Sequence, residues 1–505
     1  MPRAHDDTQG VRLIAIRARP FGFGKFMVTL ELIAFFFISL RPATDPDYGW
    51  HVVNGSHVLD GKIFGGRDLY SWTSTELWVA HEWVTELFMK AGDLIGGRTL
   101  NSFLAALIIV CVYALLAVTL RRRSCGWGLI FLALLVAFSG ALRSLAVRPH
   151  VIEMLGVALA SLLVDAYLRG SVRARSFLAL FGIGSVIWAN MHGSFPLACA
   201  IAGIASVELL ISRDARWRVM AIAALVSAAC FVLNPWGVHL YEFALQSLQS
   251  APTQSHIQEW QRPLLTEWIA VPLILQLILV TIAIAGVALR RSPSAQVIPP
   301  AVGTLRAVAF GTLALMSGRH VMIFGIATIA ILALGLKTVG EVLRLTRRNQ
   351  QADLPPPRGI ELINAGAVLV VAAVVTCAGW NVVSPSRQTR ALASQYPVAI
   401  LPSLQKNFKQ TDRMFNEYRW GGFLIERSTI PVFIDGRSEL YGDSQLARYA
   451  SIVHLERGWK ERLHGMGITH VLMPNDSKLA RALAGDEWHV VARDTVGVLL
   501  KRNIE

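Results

Sequence analysis

Phe26-Met27-Val28-Thr29-Leu30-Glu31-Leu32-Ile33-Ala34-Phe35-Phe36-Phe37-Ile38-Ser39-Leu40 runs straight into Arg41-Pro42-Ala43-Thr44-Asp45-Pro46-Asp47-Tyr48-Gly49-Trp50-His51. The first half is apolar but for Glu31, and from Phe21 to Leu40 it has the length of a membrane span. No small-residue cleavage site follows it, so it reads as an anchor and not as a removable leader. The second half is polar, aromatic and acidic. An anchor that delivers Asp45 and Asp47 to one membrane surface sets the terms for the rest of the chain.

Apolar segments of similar kind recur at Ser102 to Leu120, Gly126 to Leu142, Pro149 to Leu168, Ser176 to Ala189, Pro196 to Ile211 and Val219 to Leu233. They continue at Ile269 to Leu289, Ala301 to Met316, Val321 to Leu336 and Leu362 to Trp380. With the first run this predicts about 11 transmembrane helices. Composition agrees: 53% of residues are hydrophobic and 16% are charged, where soluble chains carry roughly 25% charged residues. The fold class expected is a polytopic α-helical membrane protein with a C-terminal soluble α/β domain. The net charge of +14 does not point to a nucleic-acid partner, because the excess sits in short loops between apolar segments. Cys111, Cys125, Cys199, Cys230 and Cys377 lie in or beside apolar runs and form no CxxC pair. They suggest neither a disulfide framework nor a zinc site.

Charge orients the spans. Lys and Arg gather at Arg3 to Lys25, Arg121 to Arg123, Arg169 to Arg175, Arg213 to Arg218, Arg290 and Arg291, and Lys337 to Arg358. Each cluster falls in an alternate loop, while the intervening short loops hold only Arg143, Arg148, Arg262 and Arg319. The positive-inside rule then puts the N-terminus in the cytoplasm. An odd number of spans puts the C-terminal part outside.

The unusual chemistry lies in the outside loops. Residues 41–101 carry Asp45, Asp47 and His51, then Ser71-Trp72-Thr73, then Trp78-Val79-Ala80-His81-Glu82-Trp83. Later outside loops add Arg148-Pro149-His150, Asn190-Met191-His192-Gly193, Asn234-Pro235-Trp236-Gly237, Glu259-Trp260 and Arg319-His320. Each has a structural explanation. Asp45 before Pro46 could cap a loop helix, the tryptophans suit a headgroup layer, and polar residues are ordinary in short turns. Their convergence on one side of one membrane is the stronger signal. A helix after Asp47 would put Asp47 and His51 on one face. Glycine breaks at Gly61, Gly65 and Gly66 predict that the loop folds into short juxtamembrane helices.

The chain divides into 1–383, the membrane part, and 384–505, the soluble part. In the latter, strands are expected at Arg413 to Asn416, Pro431 to Ile434, His470 to Met473, His489 to Ala492 and Val496 to Leu500. Helices are expected at Gln445 to Leu455, Trp459 to Met466 and Lys478 to Ala484. Trp420-Gly421-Gly422-Phe423 and Ile434-Asp435-Gly436-Arg437 read either as glycine-assisted packing corners or as a surface that meets the outside face of the bundle.

The first loop resembles that of a bacterial group within the GT-C glycosyltransferase superfamily. The matching residues are Asp45-Pro46-Asp47, Trp50-His51, Gly55, Gly61, Asp68, Ser71-Trp72-Thr73 and His81-Glu82-Trp83, with Asn190 to Gly193, Asn234 to Gly237 and Glu259-Trp260 as later landmarks. The tail is distantly similar to the C-terminal domain of oligosaccharyltransferase catalytic subunits, with Tyr418-Arg419-Trp420-Gly421-Gly422 where those carry an acceptor motif. The acceptor motif's Asp is missing. The resemblance implies a bacterial inner-membrane glycosyltransferase. It would take a sugar from a polyprenyl-phosphate donor to a glycan, lipid or protein acceptor outside, with inversion. Asp47, with Asp45, would be the general base or would hold a divalent cation, Mg or Mn. Arg148, His150, Arg319 and His320 would stabilise the departing lipid phosphate. His51, His81, Glu82, Asn190, His192 and Glu259 complete the expected substrate-binding set. Trp420, Gly421, Gly422, Asp435 and Arg437 would face the acceptor. The other readings are a non-catalytic scaffold of a cell-envelope polysaccharide assembly and a transporter. Sparse charge within the spans weighs against the transporter.

A topology reporter fused after Glu505 tests the orientation. The expected outcome is activity of an extracytoplasmic reporter; activity of a cytoplasmic one alone overturns it.

Overall fold

The computed structural model describes residues 21–74, 77–249, 260–289, 303–343, 357–485 and 487–503. Helices form along the apolar runs, because backbone removed from water must satisfy its own N–H and C=O groups. Helix α1 (Phe23–Ser39) is followed by α2 (Tyr48–Leu59) and a 3-10 turn, Lys62–Gly65. That turn lies between Gly61 and Gly66, both left-handed at φ +70° and +68°, which only glycine adopts at little cost. Next come α3 (Trp83–Arg122), α4 (Trp127–Ala141), α5 (His150–Leu168), α6 (Ala174–Met191), α7 (Pro196–Ile211), α8 (Trp217–Cys230) and α9 (His239–Gln249). Helices α10 (Val271–Leu289), α11 (Thr304–Met316), α12 (Val321–Ala327), α13 (Ile329–Val342) and α14 (Arg358–Val383) complete this part.

Among the described residues, 6 helices are long and apolar enough to cross a membrane, or 7 if the bent pair α12–α13 is one span. Helices α7, α8 and α11 are apolar but shorter. The expected span Val321 to Leu336 is bent by 73° between α12 and α13. Thr328 sits at the break, its hydroxyl turned back onto the Phe324 carbonyl at 2.6 Å, a bond that favours bending. Helix α3 also departs from expectation. It starts at Trp83, long before Ser102, and runs for 40 residues across a break at Gly96 and Gly97. Glu208 and Asp165, two of the acids within the helices, have partners, whereas both carboxylate oxygens of Glu31 in α1 are buried without a hydrogen bond. Glu208 of α7 accepts the Gly303 and Leu305 N–H groups, both at 2.7 Å, and so caps α11 from outside. Asp165 pairs with Arg123 and Arg169, each at 2.7 Å.

The tail contains α15 (Pro385–Ala393), α16 (Leu401–Asn407), β1 (Met414–Asn416), α17 (Gly421–Arg427), α18 (Ser438–Val453), α19 (Trp459–Gly465), β2 (His470–Pro474), α20 (Lys478–Leu483), β3 (Trp488–Arg493) and β4 (Gly497–Arg502). The sheet order is β1-β2-β4-β3, with β1–β2 parallel and the other pairs antiparallel. Pro431 to Ile434, expected as a strand of this sheet, is not one. It lies extended against the first loop. Trp72 N–H donates to the Val432 carbonyl at 3.2 Å and Val432 N–H to the Tyr70 carbonyl at 2.9 Å. The Thr73 hydroxyl donates to the Phe433 carbonyl at 2.6 Å. The loop competes successfully for these backbone groups.

A second joint is ionic. Arg437, 1% exposed, holds Asp435 through two bonds, Nε to Oδ1 at 2.8 Å and Nη2 to Oδ2 at 2.7 Å. Its remaining nitrogen, Nη1, reaches Asp68 of the first loop at 2.8 Å. The guanidinium lies over Tyr70 and Trp78, 4.9 and 5.1 Å from their ring centres. Asp68 in turn accepts the Tyr70 and Ser71 N–H groups. Arg98 of α3 makes a parallel tie, bonding the Ala43 carbonyl and Glu426 of α17.

Removing Arg437 leaves Asp68 and Asp435 buried without a counter-charge. Arg437→Ala is expected to cost about 3–5 kcal/mol, and Arg437→Lys to rescue little, since an ammonium cannot form the fork. Thermal unfolding in detergent, with limited proteolysis of residues 41–101, measures it.

Candidate functional site

Asp47 is the N-cap of α2, a position that the sequence reading had offered to Asp45. Asp45 instead accepts the Asp47 N–H through its side chain at 3.0 Å. This local loop fixes how Asp47 enters the helix. The Asp47 carboxylate is held on three sides. Trp50 Nε1 donates to Oδ1 at 3.1 Å. Arg148 Nη2 stands 3.3 Å from Oδ2, and Arg148 Nη1 lies 3.9 Å from Asp45. The third side is Gly436, where any Cβ would collide with Oδ1. Gly49 and Gly422 likewise bring α2 and α17 into backbone contact.

Asp47 and His51 share the first turns of α2, yet their side chains diverge. His51 Nδ1 lies 3.1 Å from Glu86 Oε1 and 3.7 Å from Glu82 Oε2. Asn54 donates to the same Glu86 oxygen at 3.0 Å. Glu82 also meets His192 Nε2 at 3.2 Å and His81 Nε2 at 3.6 Å. The Ser194 N–H donates to His192 Nδ1 at 3.1 Å, so the neutral ring carries its proton on Nε2, toward Glu82. Burial opposes a charge on His81, but the Glu82 carboxylate outweighs it and the imidazole pKa is raised. Burial likewise pushes Glu82 up, while His81, His192 and His51 hold it well below the usual carboxylate range. Burial keeps His192 well below the usual imidazole value despite Glu82. His51, Glu82 and Glu86 have the spacing of metal ligands, their donor atoms within 4.8 Å of one another.

Arg148 also lines a cavity of about 320 Å³, with Arg143, His150, Arg262, Glu267 and Arg319 around it. Four guanidinium groups on one cavity give it the donor chemistry that pairs with anions such as phosphate. A second crevice, about 380 Å³, opens between Trp78, His239, Glu242, Phe243 and Glu439. It brings the tail within electrostatic reach of His81.

The expected site residues thus fall into separate groups. Asp45, Asp47 and Arg148 meet directly, as do His51, His81, Glu82 and His192. His150 and Arg319 join Arg148. Asn190 stands apart: it accepts Trp83 Nε1 at 2.9 Å and donates to the Val186 and Leu233 carbonyls. His320 packs edge-on against Trp260. Glu259 lies outside the described residues. The expected acceptor face is not a free face. Trp420, Asp435 and Arg437 are 4%, 0% and 1% exposed: Asp435, Arg437 and Gly422 are consumed in the joint between tail and first loop, while Gly421 packs on Ile434 and Asp435 and Trp420 on Gly497 within the tail. Glu86, Arg143, Arg262 and Glu439 were not among the expected site residues. The spacing of Glu82 and Glu86, one helical turn apart, was the available signal for Glu86.

No protein-family model matches the chain, and no curated protein matches it in sequence. Solved structures do match in fold. The archaeal oligosaccharyltransferase AglB from Archaeoglobus fulgidus, in complex with an inhibitory peptide and a dolichol-phosphate, superposes with a TM-score of 0.56 and 11% identity. That match covers 90% of this chain and 70% of AglB. The arabinofuranosyltransferase AftD from Mycobacteria gives a TM-score of 0.52 and 16% identity, over 94% of this chain and 41% of AftD. The fold is that of GT-C glycosyltransferases. The long apolar helices here are of a length to cross a membrane. A GT-C fold accommodates both halves of the described chain, helical bundle and tail, in one superposition.

Gly436→Ala tests the seat of Asp47. Overpacking is expected to cost about 1–3 kcal/mol, and Asp47→Ala in the same chain should recover much of it by removing the colliding oxygen. A double-mutant cycle on unfolding free energies checks this; independent, additive effects would refute the contact.

Proposed function

We propose that the chain is a glycosyltransferase of the membrane that moves a sugar from a polyprenyl-phosphate-linked donor to an acceptor hydroxyl or amide on the outer face. The observation that carries this reading is the 3.3 Å contact between Asp47 and Arg148, because Arg148 belongs equally to the four-arginine cavity. A carboxylate able to take a proton therefore sits at the edge of a site able to hold a phosphate. The dolichol-phosphate in the AglB structure and the transferase activity named for both neighbours support a donor of this class.

In the proposed reaction the lipid phosphate lies among Arg143, Arg148, Arg262 and Arg319. Asp47 takes the acceptor proton as the acceptor attacks the anomeric carbon. The bond from that carbon to the phosphate oxygen breaks, the anomeric centre inverts, and the lipid phosphate keeps the electron pair. The arginines stabilise that added charge. Asp45 positions Asp47 through its backbone N–H. Mg or Mn at Asp45 and Asp47 belongs to the family expectation, but Arg148 already supplies positive charge there, so no step is routed through a metal. The proposal extends to about 11 spans, a bacterial inner-membrane location, a cytoplasmic N-terminus, and an extracytoplasmic soluble domain from residue 384.

A scaffold without chemistry is the second reading. It is favoured by the fact that both Asp47 oxygens already have protein partners. Asp47→Asn separates the two. The catalytic reading expects transfer from a polyprenyl-phosphate sugar to fall by about 10²–10⁴-fold, with the unfolding midpoint nearly unchanged. Unaltered transfer by Asp45→Asn, Asp47→Asn would remove both carboxylates from the chemistry, and no transfer by the unsubstituted chain would leave the scaffold.

A further inference from the structure

We propose that His51, Glu82 and Glu86 bind one divalent transition-metal ion, which clamps α2 to the start of α3. This inference does not depend on the proposed glycosyl transfer. It also places the metal away from Asp45 and Asp47.

Donor geometry is the first argument. His51 Nδ1, a Glu82 oxygen and a Glu86 oxygen lie within 4.8 Å of one another, close enough to converge on one ion with small rotamer shifts. All three residues are buried, at 1%, 8% and 1% exposure. Charge is the second. Two carboxylates and a neutral imidazole sum to the charge that one divalent ion cancels. His81 and His192 face Glu82, but among the described residues the buried Glu86 has only His51 as an ionic partner, and a buried carboxylate is costly without compensation. The third argument is an orphaned atom. Glu86 Oε2 is buried with no hydrogen-bond partner, although Oε1 of the same carboxylate has two.

The surrounding groups are arranged as supports for ligands. Tyr70 donates to Asn54 Oδ1 at 2.6 Å, and Asn54 donates to Glu86 Oε1 at 3.0 Å. His192 Nε2 stands 3.2 Å from Glu82 Oε1, while the other oxygen, Oε2, is the one nearer His51. Such outer bonds orient first ligands and keep them ionised. An imidazole nitrogen with two carboxylates suits Zn²⁺ or Mn²⁺ better than Ca²⁺ or Mg²⁺, which prefer all-oxygen sites. The His51 and Trp50 rings lie 3.6 Å apart between centres, tilted by 37°, and Trp50 donates to Asp47. An ion there would stiffen α2 one turn behind Asp47 without touching it.

The test uses full-length protein purified in detergent, stripped with a chelator and reloaded with Zn²⁺, Co²⁺ or Mg²⁺. We expect about one equivalent of Zn²⁺ or Co²⁺ to survive gel filtration, a cobalt absorption band in the visible, and a rise of several degrees in unfolding midpoint. Mg²⁺ should do neither. Glu86→Gln and His51→Gln should drop retention to below about a tenth of an equivalent, while Asp47→Asn keeps it. X-ray absorption of the zinc-loaded protein should show imidazole and carboxylate ligands without sulfur, which holds the proposal to account even where a variant fails to fold. Absence of retained metal, undiminished retention in Glu86→Gln, or loss in Asp47→Asn would each overturn it.

Discussion

The structure depends on the fork that Arg437 makes between Asp435 and Asp68. A guanidinium so deeply buried is tolerable only when its donors are satisfied by carboxylates in good geometry. That requirement brings a turn of the tail and a turn of the first loop to a single point. Tyr70 and Trp78 close over the cation, and the Tyr70–Val432 and Trp72–Val432 backbone bonds run alongside. Bundle and tail therefore share one continuous core.

The seat of Asp47 follows from that joint. Gly436 immediately precedes Arg437, so fixing the guanidinium also fixes the surface against which the Asp47 carboxylate rests. Trp50 and Arg148 supply the remaining contacts, one from the helix that Asp47 caps and one from the turn that enters α5. Tail, loop and bundle each contribute one wall. In the proposed reaction this is preorganisation: the carboxylate has little freedom to lose on meeting an acceptor.

Several elements were legible in the chain before any tertiary contact. The long apolar runs became helices because a desolvated backbone has few other ways to satisfy itself. The glycine breaks at Gly61 and Gly66 became left-handed turns. Others were not legible. Pro431 to Ile434 has the composition of a strand, but whether it joins the sheet or the first loop is decided by a partner more than three hundred and fifty residues away in sequence (Thr73 and Phe433 are 360 apart). The bend at Thr328 and the early start of α3 at Trp83 were hidden for a related reason, since hydropathy reports burial in an apolar medium and not helix continuity.

The sequence by itself determined an apolar helical bundle, its basic loops, the tail's alternation of short strands and helices, and the residues of unusual chemistry in the outer loops. Those properties arise from local composition and periodicity. Only the tertiary structure decided which of those residues meet. It sent Asp47 to Arg148 and His51 to Glu86 from a single helix, and it turned Asp435 and Arg437 from an expected acceptor face into a buried joint. Side-chain direction is set by packing among segments far apart in sequence, and hydrogen-bond and ion-pair energies act only over a few ångströms.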